Sequence, residues 1–259
     1  METLKIRDVT LGAGIPKICI PIVGHDLESI VDEAKSILKF DPDFVEWRAD
    51  YFEHAENVEL VTEILKKIRA TIIETPLIFT FRNEIEGGVR TISEDYYFQL
   101  NTTLALTGKT DIIDLELSHN EQHLKNTILK AHKAGVKAIL SSHNIDCTPP
   151  KSYIIDTFNK MQSMGADIPK IAVMANKVSD VLTLLDATNT IKNRYAKGPF
   201  ITISMGNIGL LTRLCGELFG SSMTFASGRE ASAPGQINPE DLKKILLILH
   251  ERSNNEGDN

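Results

Sequence analysis

With 259 residues, 42% of them hydrophobic, and a formal net charge of −7, the chain can build one large domain or two small ones around a real core. The acidic excess is dispersed and no basic stripe appears, which argues against nucleic-acid or membrane-surface binding. Cys19, Cys147 and Cys215 are odd in number and lack metal-ligand spacing, as expected of free thiols in a reducing cytoplasm, and no run reaches transmembrane length.

Leu4–Ile6 and Val9–Leu11, separated by Arg7-Asp8, predict a short N-terminal β-hairpin. The β-branched run Lys17–Val23 follows, bounded by Pro16 and Gly24. Asp26 is placed to cap a helix whose apolar stripe is Ile30, Val31, Ala34, Ile37 and Leu38. Strand Phe44–Ala49 then leads to a helix through Val58, Val61, Ile64, Leu65 and Ile68. Strand Leu77–Arg82 is followed by a helix from Ser93 to about Leu106, and strand Ile112–Leu117 by helix Glu121–Lys133. After strand Val136–Ser142, Thr148-Pro149-Pro150 opens a helix with proline at its first position. Strand Lys170–Met174, helix Val178–Ile191, strand Phe200–Ser204 and a helix near Leu210–Phe219 come next. Met223–Ala226 and a last amphipathic helix capped at Asn238 complete the pattern.

Eight strand–helix units of about thirty residues each suit an α/β chain folded as a (β/α)8 TIM barrel. A doubly wound sheet is the alternative, but no Gly-x-Gly-x-x-Gly follows the first strand. No repeat or linker divides the chain, so residues 1–252 are read as one domain and 253–259 as a polar tail.

Parallel strands buried on both faces should be nearly all apolar, and these are not. Alternation places Glu46 with Arg48, Thr80 with Arg82, Asp114 with Glu116, Ser141 with His143, Lys170 with Ala172, and Thr202 with Ser204 on single faces. If those faces point into a barrel, acids, arginines, a histidine and a lysine converge near the C-terminal ends of the strands, where barrel enzymes build their sites. Singly, each has a bland reading: Lys170 as a strand-end lysine reaching solvent, Glu46 and Arg48 as a structural ion pair, Asp114 and Glu116 as a support network, His143 as a loop histidine. Together they suggest a lysine that forms an imine and a histidine that moves the α-proton, with arginines for a substrate carboxylate.

At these residues the sequence resembles the type I 3-dehydroquinate dehydratase family over nearly its whole length. The matching stretches are Glu46-Trp47-Arg48-Ala49-Asp50, Thr80-Phe81-Arg82 with Glu86-Gly87-Gly88, and Ser142-His143, followed by Pro169–Met174, Ser204-Met205-Gly206 with Arg213, and Ser232–Gln236. The resemblance implies a barrel, usually a homodimer, that works in the cytoplasm without metal or cofactor. It implies syn elimination of water from 3-dehydroquinate in the shikimate pathway. By position, Lys170 would form the imine, His143 would be the general acid/base, and Glu86 would orient it. Arg213 and Gln236 would hold the carboxylate end; Glu46, Arg48, Arg82 and Ser232 would hold hydroxyls or shape the pocket; Met205 would be a wall. Two departures stand out: Pro21 replaces a frequent serine, and Asn144-Ile145 replaces Asp-Phe, which would loosen packing around His143. Gly228–Gln236 is expected to be a mobile lid bringing Ser232 and Gln236 to the ligand.

Three rival readings remain. A class I aldolase would need a phosphate site, for which Gly206 and Gly209 are candidates. A non-enzymatic binding barrel would need no activated lysine. A metal hydrolase would use His119 and His123, but these lack the intervening glutamate and read as a solvated helix start.

Overall fold

Period-two alternation over short apolar runs gives strands throughout the structure, a computed structural model that describes residues 2–229 and 232–254. β1 (Leu4–Ile6) and β2 (Val9–Leu11) pair antiparallel as a hairpin. The barrel strands are β3 (Lys17–Ile22), β4 (Phe44–Arg48), β5 (Leu77–Thr80), β6 (Ile112–Glu116), β7 (Lys137–Asn144), β8 (Ile168–Met174), β9 (Ile201–Met205) and β10 (Met223–Phe225). They form one eight-stranded sheet in the order β10-β3-β4-β5-β6-β7-β8-β9, every registered pair parallel. A bridge between Phe200 and Ser221 closes the seam, where Ser222 N donates to Phe200 O at 2.8 Å. The fold is a TIM barrel with an N-terminal hairpin.

Helices α1 (Leu27–Ile37), α2 (Val58–Ile72), α3 (Glu94–Leu106), α4 (Glu121–Lys133), α5 (Lys151–Ser163) and α6 (Val178–Arg194) alternate with the strands, and α9 (Pro239–Asn254) ends the described chain. Asp26 caps α1 reciprocally with Ser29, Ser93 caps α3, and Asn238 receives Glu240 N at the start of α9. The tail expected from Ser253 instead begins inside α9, and residues 255–259 lie outside the described residues.

Four expectations are corrected. The helix near Leu210–Phe219 is broken into a 3-10 turn at Ile208–Leu210, α7 (Leu211–Leu214) and α8 (Gly216–Phe219). Thr212 Oγ1 accepts from Ser204 N and donates to Gly209 O, both at 2.9 Å, so a side chain ties this segment to the strand end and competes with a continuous helix. Pro150 precedes α5 with extended backbone (ψ 149), so the helix starts at Lys151. β7 runs on to Asn144, which places His143 on the strand itself. Thr202 and Ser204 face outward: Thr202 bonds Thr188 of α6 at 2.9 Å, while Ile201, Ile203 and Met205 take the inner face.

Among the described residues the core has two large parts and a small third cluster of Ala175, Val181, Leu185 and Cys215. One large part lies between sheet and helices, with Trp47, Phe79, Phe158 and Phe200 among its larger members. The other fills the lower barrel with inward residues, including Phe44, Ile78, Ile112, Ile139, Ile168, Ile201 and Met223, and the hairpin caps it with Ile6 and Leu11. Arg7 Nε reaches Asp111 Oδ1 at 2.7 Å and fastens the hairpin to the barrel floor. This oily lower layer leaves the polar inward residues one step higher on their strands, at the open C-terminal mouth.

Pro21 sits in a barrel strand without breaking its ladder. Cys19 O accepts from Ala226 N, so the polar groups of Cys19, and two residues on those of Pro21, face β10. The β10 register ends at the Phe225–Cys19 pair, so no registered bond needs the missing N–H.

Candidate active site

Lys170 is buried on β8, with Ser141 of β7 beside it in register and His143 opposite Ala172 one repeat nearer the mouth. Its Nζ donates to Asp114 Oδ2 at 3.0 Å and lies 3.6 Å from Glu46 Oε1 and 4.6 Å from the centre of the Phe225 ring. The solvent-reaching lysine of the bland reading is therefore excluded.

Glu86 is brought to His143 by the backbone rather than by a strand. After β5 the chain turns through the 3-10 segment Glu84–Glu86 and folds back on itself at Gly87-Gly88. A Cβ at Gly88 would stand 1.9 Å from Arg82 O, so only glycine allows the return. Glu86 Oε2 then accepts both from His143 N at 3.0 Å and at its Nδ1 at 2.9 Å. A carboxylate only accepts, so Nδ1 carries the ring proton and Nε2 keeps its lone pair. Burial, reinforced by the charges of Arg82 and Lys170, holds the imidazole pKa well below the usual histidine value. Burial also pushes the Glu86 carboxyl up, against the pull of Arg82 at 3.7 Å.

Arg82 organises the acids. It donates to Asp114 Oδ1 at 2.9 Å, Glu116 Oε1 at 3.1 Å and Ser141 Oγ at 2.9 Å. Desolvation disfavours its charge, but Asp114, Glu116 and Glu86 outweigh that and hold its pKa well above normal. Burial likewise disfavours the Asp114 anion, and Arg82, Lys170 and His143 with the Ser141 hydroxyl outweigh it, leaving that carboxyl well below its ordinary range.

Arg48 does not pair with Glu46, as the structural reading had it. It forks onto Asp50 through two bonds of 2.7 Å, because the 3-10 turn Ala49–Tyr51 folds that carboxylate back beneath the guanidinium. Glu46 instead accepts from Thr80 Oγ1 at 2.9 Å. Arg213 comes from α7 and donates to Phe225 O at 3.4 Å and Pro234 O at 3.1 Å, while its buried Nε has no partner. Burial lowers its pKa to about 10. Gln236 and Ser232 close on each other, Oε1 accepting from Ser232 N at 2.8 Å and Nε2 donating to Ser232 Oγ at 3.0 Å.

These side chains surround one cavity of about 250 Å³. Glu46, Arg48, Arg82, Glu86, His143, Lys170, Arg213, Ser232 and Gln236 all line it, with Met205, Ile203 and Phe225 as apolar wall. Polar groups of both signs thus face one space at the mouth of the barrel.

A model of the family described as Type I 3-dehydroquinase matches residues 18–253. The chain belongs to the type I 3-dehydroquinase family. A 3-dehydroquinate dehydratase from Syntrophotalea carbinolica is 51% identical over 250 residues, covering 96% of this chain and 99% of that protein. One from Listeria innocua is 46% identical over 252 residues, covering 97% and 100%. The solved type I 3-dehydroquinate dehydratase of Clostridium difficile, determined with covalently modified comenic acid, superposes with a TM-score of 0.94 at 44% identity, covering 97% of this chain and 98% of that one. A 3-hexulose-6-phosphate synthase at 14% identity and a TM-score of 0.58 shares the barrel alone.

Within this type I 3-dehydroquinase barrel the phosphate reading fails on geometry. Gly209 packs so closely that a Cβ would lie 2.2 Å from Ser204 O, and Gly206 N is directed to Pro234 O at 3.4 Å, so the turn is filled by its own chain. His119 is not at a solvated helix start. Its ring stacks on Tyr97 at 4.0 Å and its Nε2 lies 3.1 Å from Asn83 Nδ2 and 3.3 Å from Glu116 Oε2. The Ile145 departure puts a half-exposed apolar side chain on the cavity rim beside Gly87, while His143 stays doubly held by Glu86. Of the expected lid, Glu230 and Ala231 lie outside the described residues.

Sequence reasoning left Asp50 and Ser118 without a role in the site and gave Asp114 only as part of a support network with Glu116. Asp50 stood in a quoted motif two residues after Arg48, and Asp114 stood out as an acid on an inward face; either signal was available. Ser118, whose Oγ donates to Glu86 Oε1 at 2.8 Å, carried no local signal.

Proposed function

We propose that this chain dehydrates 3-dehydroquinate to 3-dehydroshikimate by syn elimination through an imine on Lys170, a step of the shikimate pathway. One observation carries the reading: Lys170 Nζ and the imidazole of His143 line one cavity from adjacent strands, the first bonded to an acid and the second held neutral. The Lys170 amine, once deprotonated, attacks the ketone carbon, and loss of water gives the iminium. That cation withdraws electrons from the neighbouring carbon, His143 Nε2 removes the α-proton, and the C–H pair flows to nitrogen. The imidazolium then returns its proton to the hydroxyl on the next carbon, which leaves as water. Hydrolysis of the iminium frees the conjugated ketone and restores Lys170. Glu86 fixes the imidazole tautomer on which this depends.

Glu46, Arg48, Arg82 and Ser232 are assigned to the hydroxyls and the shape of the pocket, and Gln236 to the carboxylate end. Arg213 is assigned to the substrate carboxylate, since its bonds go only to carbonyls and a buried Nε remains unpartnered. A homodimer in the cytoplasm fits this reading; the three cysteines are free, Cys19 and Cys215 buried and Cys147 exposed, and among the described residues no helix is long and apolar enough to cross a membrane.

The test is direct. Purified protein mixed with 3-dehydroquinate should generate the ultraviolet absorbance of a conjugated enone, and no such signal would refute the reading. Arg213→Lys replaces a planar fork with a point charge, so kcat/KM should fall by one to two decades, the worth of one charge-assisted bond of about 1.5–3 kcal/mol. An unchanged kcat/KM would move the carboxylate to another arginine.

A further inference from the structure

Among the described residues, Glu46, Phe225 and Asp114 neighbour the Lys170 nitrogen. They differ in what a substrate can do to them. Glu46 and Phe225 line the cavity, and Glu46 is 3.6 Å away, beyond hydrogen-bond distance. Asp114 is fully buried, is not part of the cavity wall, and makes the hydrogen bond to Nζ at 3.0 Å. Its other oxygen is tied to Arg82 Nη2 at 2.9 Å and Ser141 Oγ at 2.6 Å, so the carboxylate cannot turn away or follow a ligand.

The chemistry of the proposed imine sets a demand at this nitrogen. Taken as a whole, ammonium plus ketone gives iminium plus water. Two of the three ammonium protons leave with the carbonyl oxygen, the C–N double bond forms as the C–O double bond breaks, and one proton stays. The positive charge is conserved at one atom. An anion that serves the ammonium and that substrate cannot displace serves the iminium equally well.

We infer that Asp114 is a further catalytic residue, the fixed counter-ion of the iminium on Lys170. The inference rests on the imine reading above. Asp114 sits beneath the nitrogen, on the side away from the substrate, and holds the cation that acts as electron sink. It transfers no proton: Arg82 and Ser141 occupy its second oxygen, and the carboxyl lies well below its ordinary range. When His143 removes the α-proton the nitrogen becomes neutral, and expulsion of the hydroxyl restores the charge opposite the same anion. Preorganisation of this kind favours the ionised states without moving any group at the moment of reaction.

Asp114→Asn keeps the shape and the acceptor for Arg82 but removes the charge; Asp114→Glu keeps the charge. Wild type and both variants would be treated with 3-dehydroquinate and borohydride, followed by intact mass and steady-state kinetics. The expected result is a Lys170 adduct in wild type, a much smaller trapped fraction in Asp114→Asn with kcat lower by about 10²- to 10³-fold, and partial recovery of both in Asp114→Glu. No adduct in wild type would refute the imine itself. A wild-type adduct with undiminished trapping and kcat in folded Asp114→Asn would overturn the counter-ion role alone. Should Asp114→Asn fail to fold, wild type carrying 15N-labelled lysine decides. A Schiff-base nitrogen resonance with an attached proton slow to exchange with solvent supports the role, and a nitrogen without one overturns it.

Discussion

Lys170→Ala abolishes turnover, by about 10⁴-fold or more, because among the described residues no other side chain at the cavity offers a nucleophilic amine to the ketone. In the unaltered protein, borohydride added with 3-dehydroquinate reduces the iminium to a stable amine, and peptide mapping finds the added mass on Lys170. The alanine variant gains none. The variant stays folded because Asp114 keeps Arg82 and Ser141 as donors, and Glu46 keeps Thr80. Removing one partner of a buried pair nonetheless costs stability, of the order of 3 kcal/mol, so the circular dichroism spectrum persists while Tm falls. An adduct on a different lysine, or normal turnover without Lys170, would overturn the assignment.

His143→Ala produces the second largest loss, about 10²- to 10⁴-fold in kcat, with KM much less affected. The ketone can still meet Lys170, so iminium accumulates and is trapped in larger amount than in wild type; near-normal turnover with no trapped species would make His143 structural. The pH dependence carries a sign. Burial and the charges of Arg82 and Lys170 depress the imidazole pKa, so His143 remains a competent neutral base down to pH values below the ordinary 6.5. The acid limb of kcat/KM that is owed to this group therefore lies below 6.5, and His143→Ala removes it. Stability follows the same sign. Between the unfolded and folded pKa values the unfolded chain binds more protons, so the native state loses stability as pH falls through that interval. Urea titrations at stepped pH check this: the variant should give a flatter profile there than wild type.

The inward polar faces were legible because strand alternation is a local property. Glu46 with Arg48 on β4, Asp114 with Glu116 on β6, and Lys170 on β8 needed only a period of two to be placed on their faces. The same rule failed on β9. Thr202 and Ser204 are as regular as any of these pairs, yet they point into the helix layer, where Thr202 meets Thr188 of α6. Period two separates two faces but does not say which is inner; partner elements decide that. Ile201 and Ile203 fill the barrel, while outside it the Thr202 hydroxyl bonds to Thr188 and Ser204 is held through its backbone N–H by Thr212 Oγ1.

The pairing of charges was beyond local reading for a related reason. Arg48 chose Asp50, two residues on in a 3-10 turn, over Glu46 on its own strand face, because the turn closes a two-bond fork that a strand neighbour cannot offer. Glu86 reaches His143 across 57 residues, through a backbone reversal that Gly88 alone permits. Asp114 reaches Lys170 past the whole of β7, which only a curved sheet with a common interior allows.

The sequence by itself therefore determined the order of strands and helices, the helix caps at Asp26, Ser93 and Asn238, and which side chains share a strand face. Hydrophobic periodicity and capping act within a few residues, so no distant contact is needed to read them. Only the tertiary structure decided which face of β9 looks inward, which acid each arginine holds, and which carboxylate stays beneath Lys170. Those choices are competitions among partners far apart in sequence. They are settled by burial and geometry once closure of the barrel has put the candidates within a few ångströms of one another.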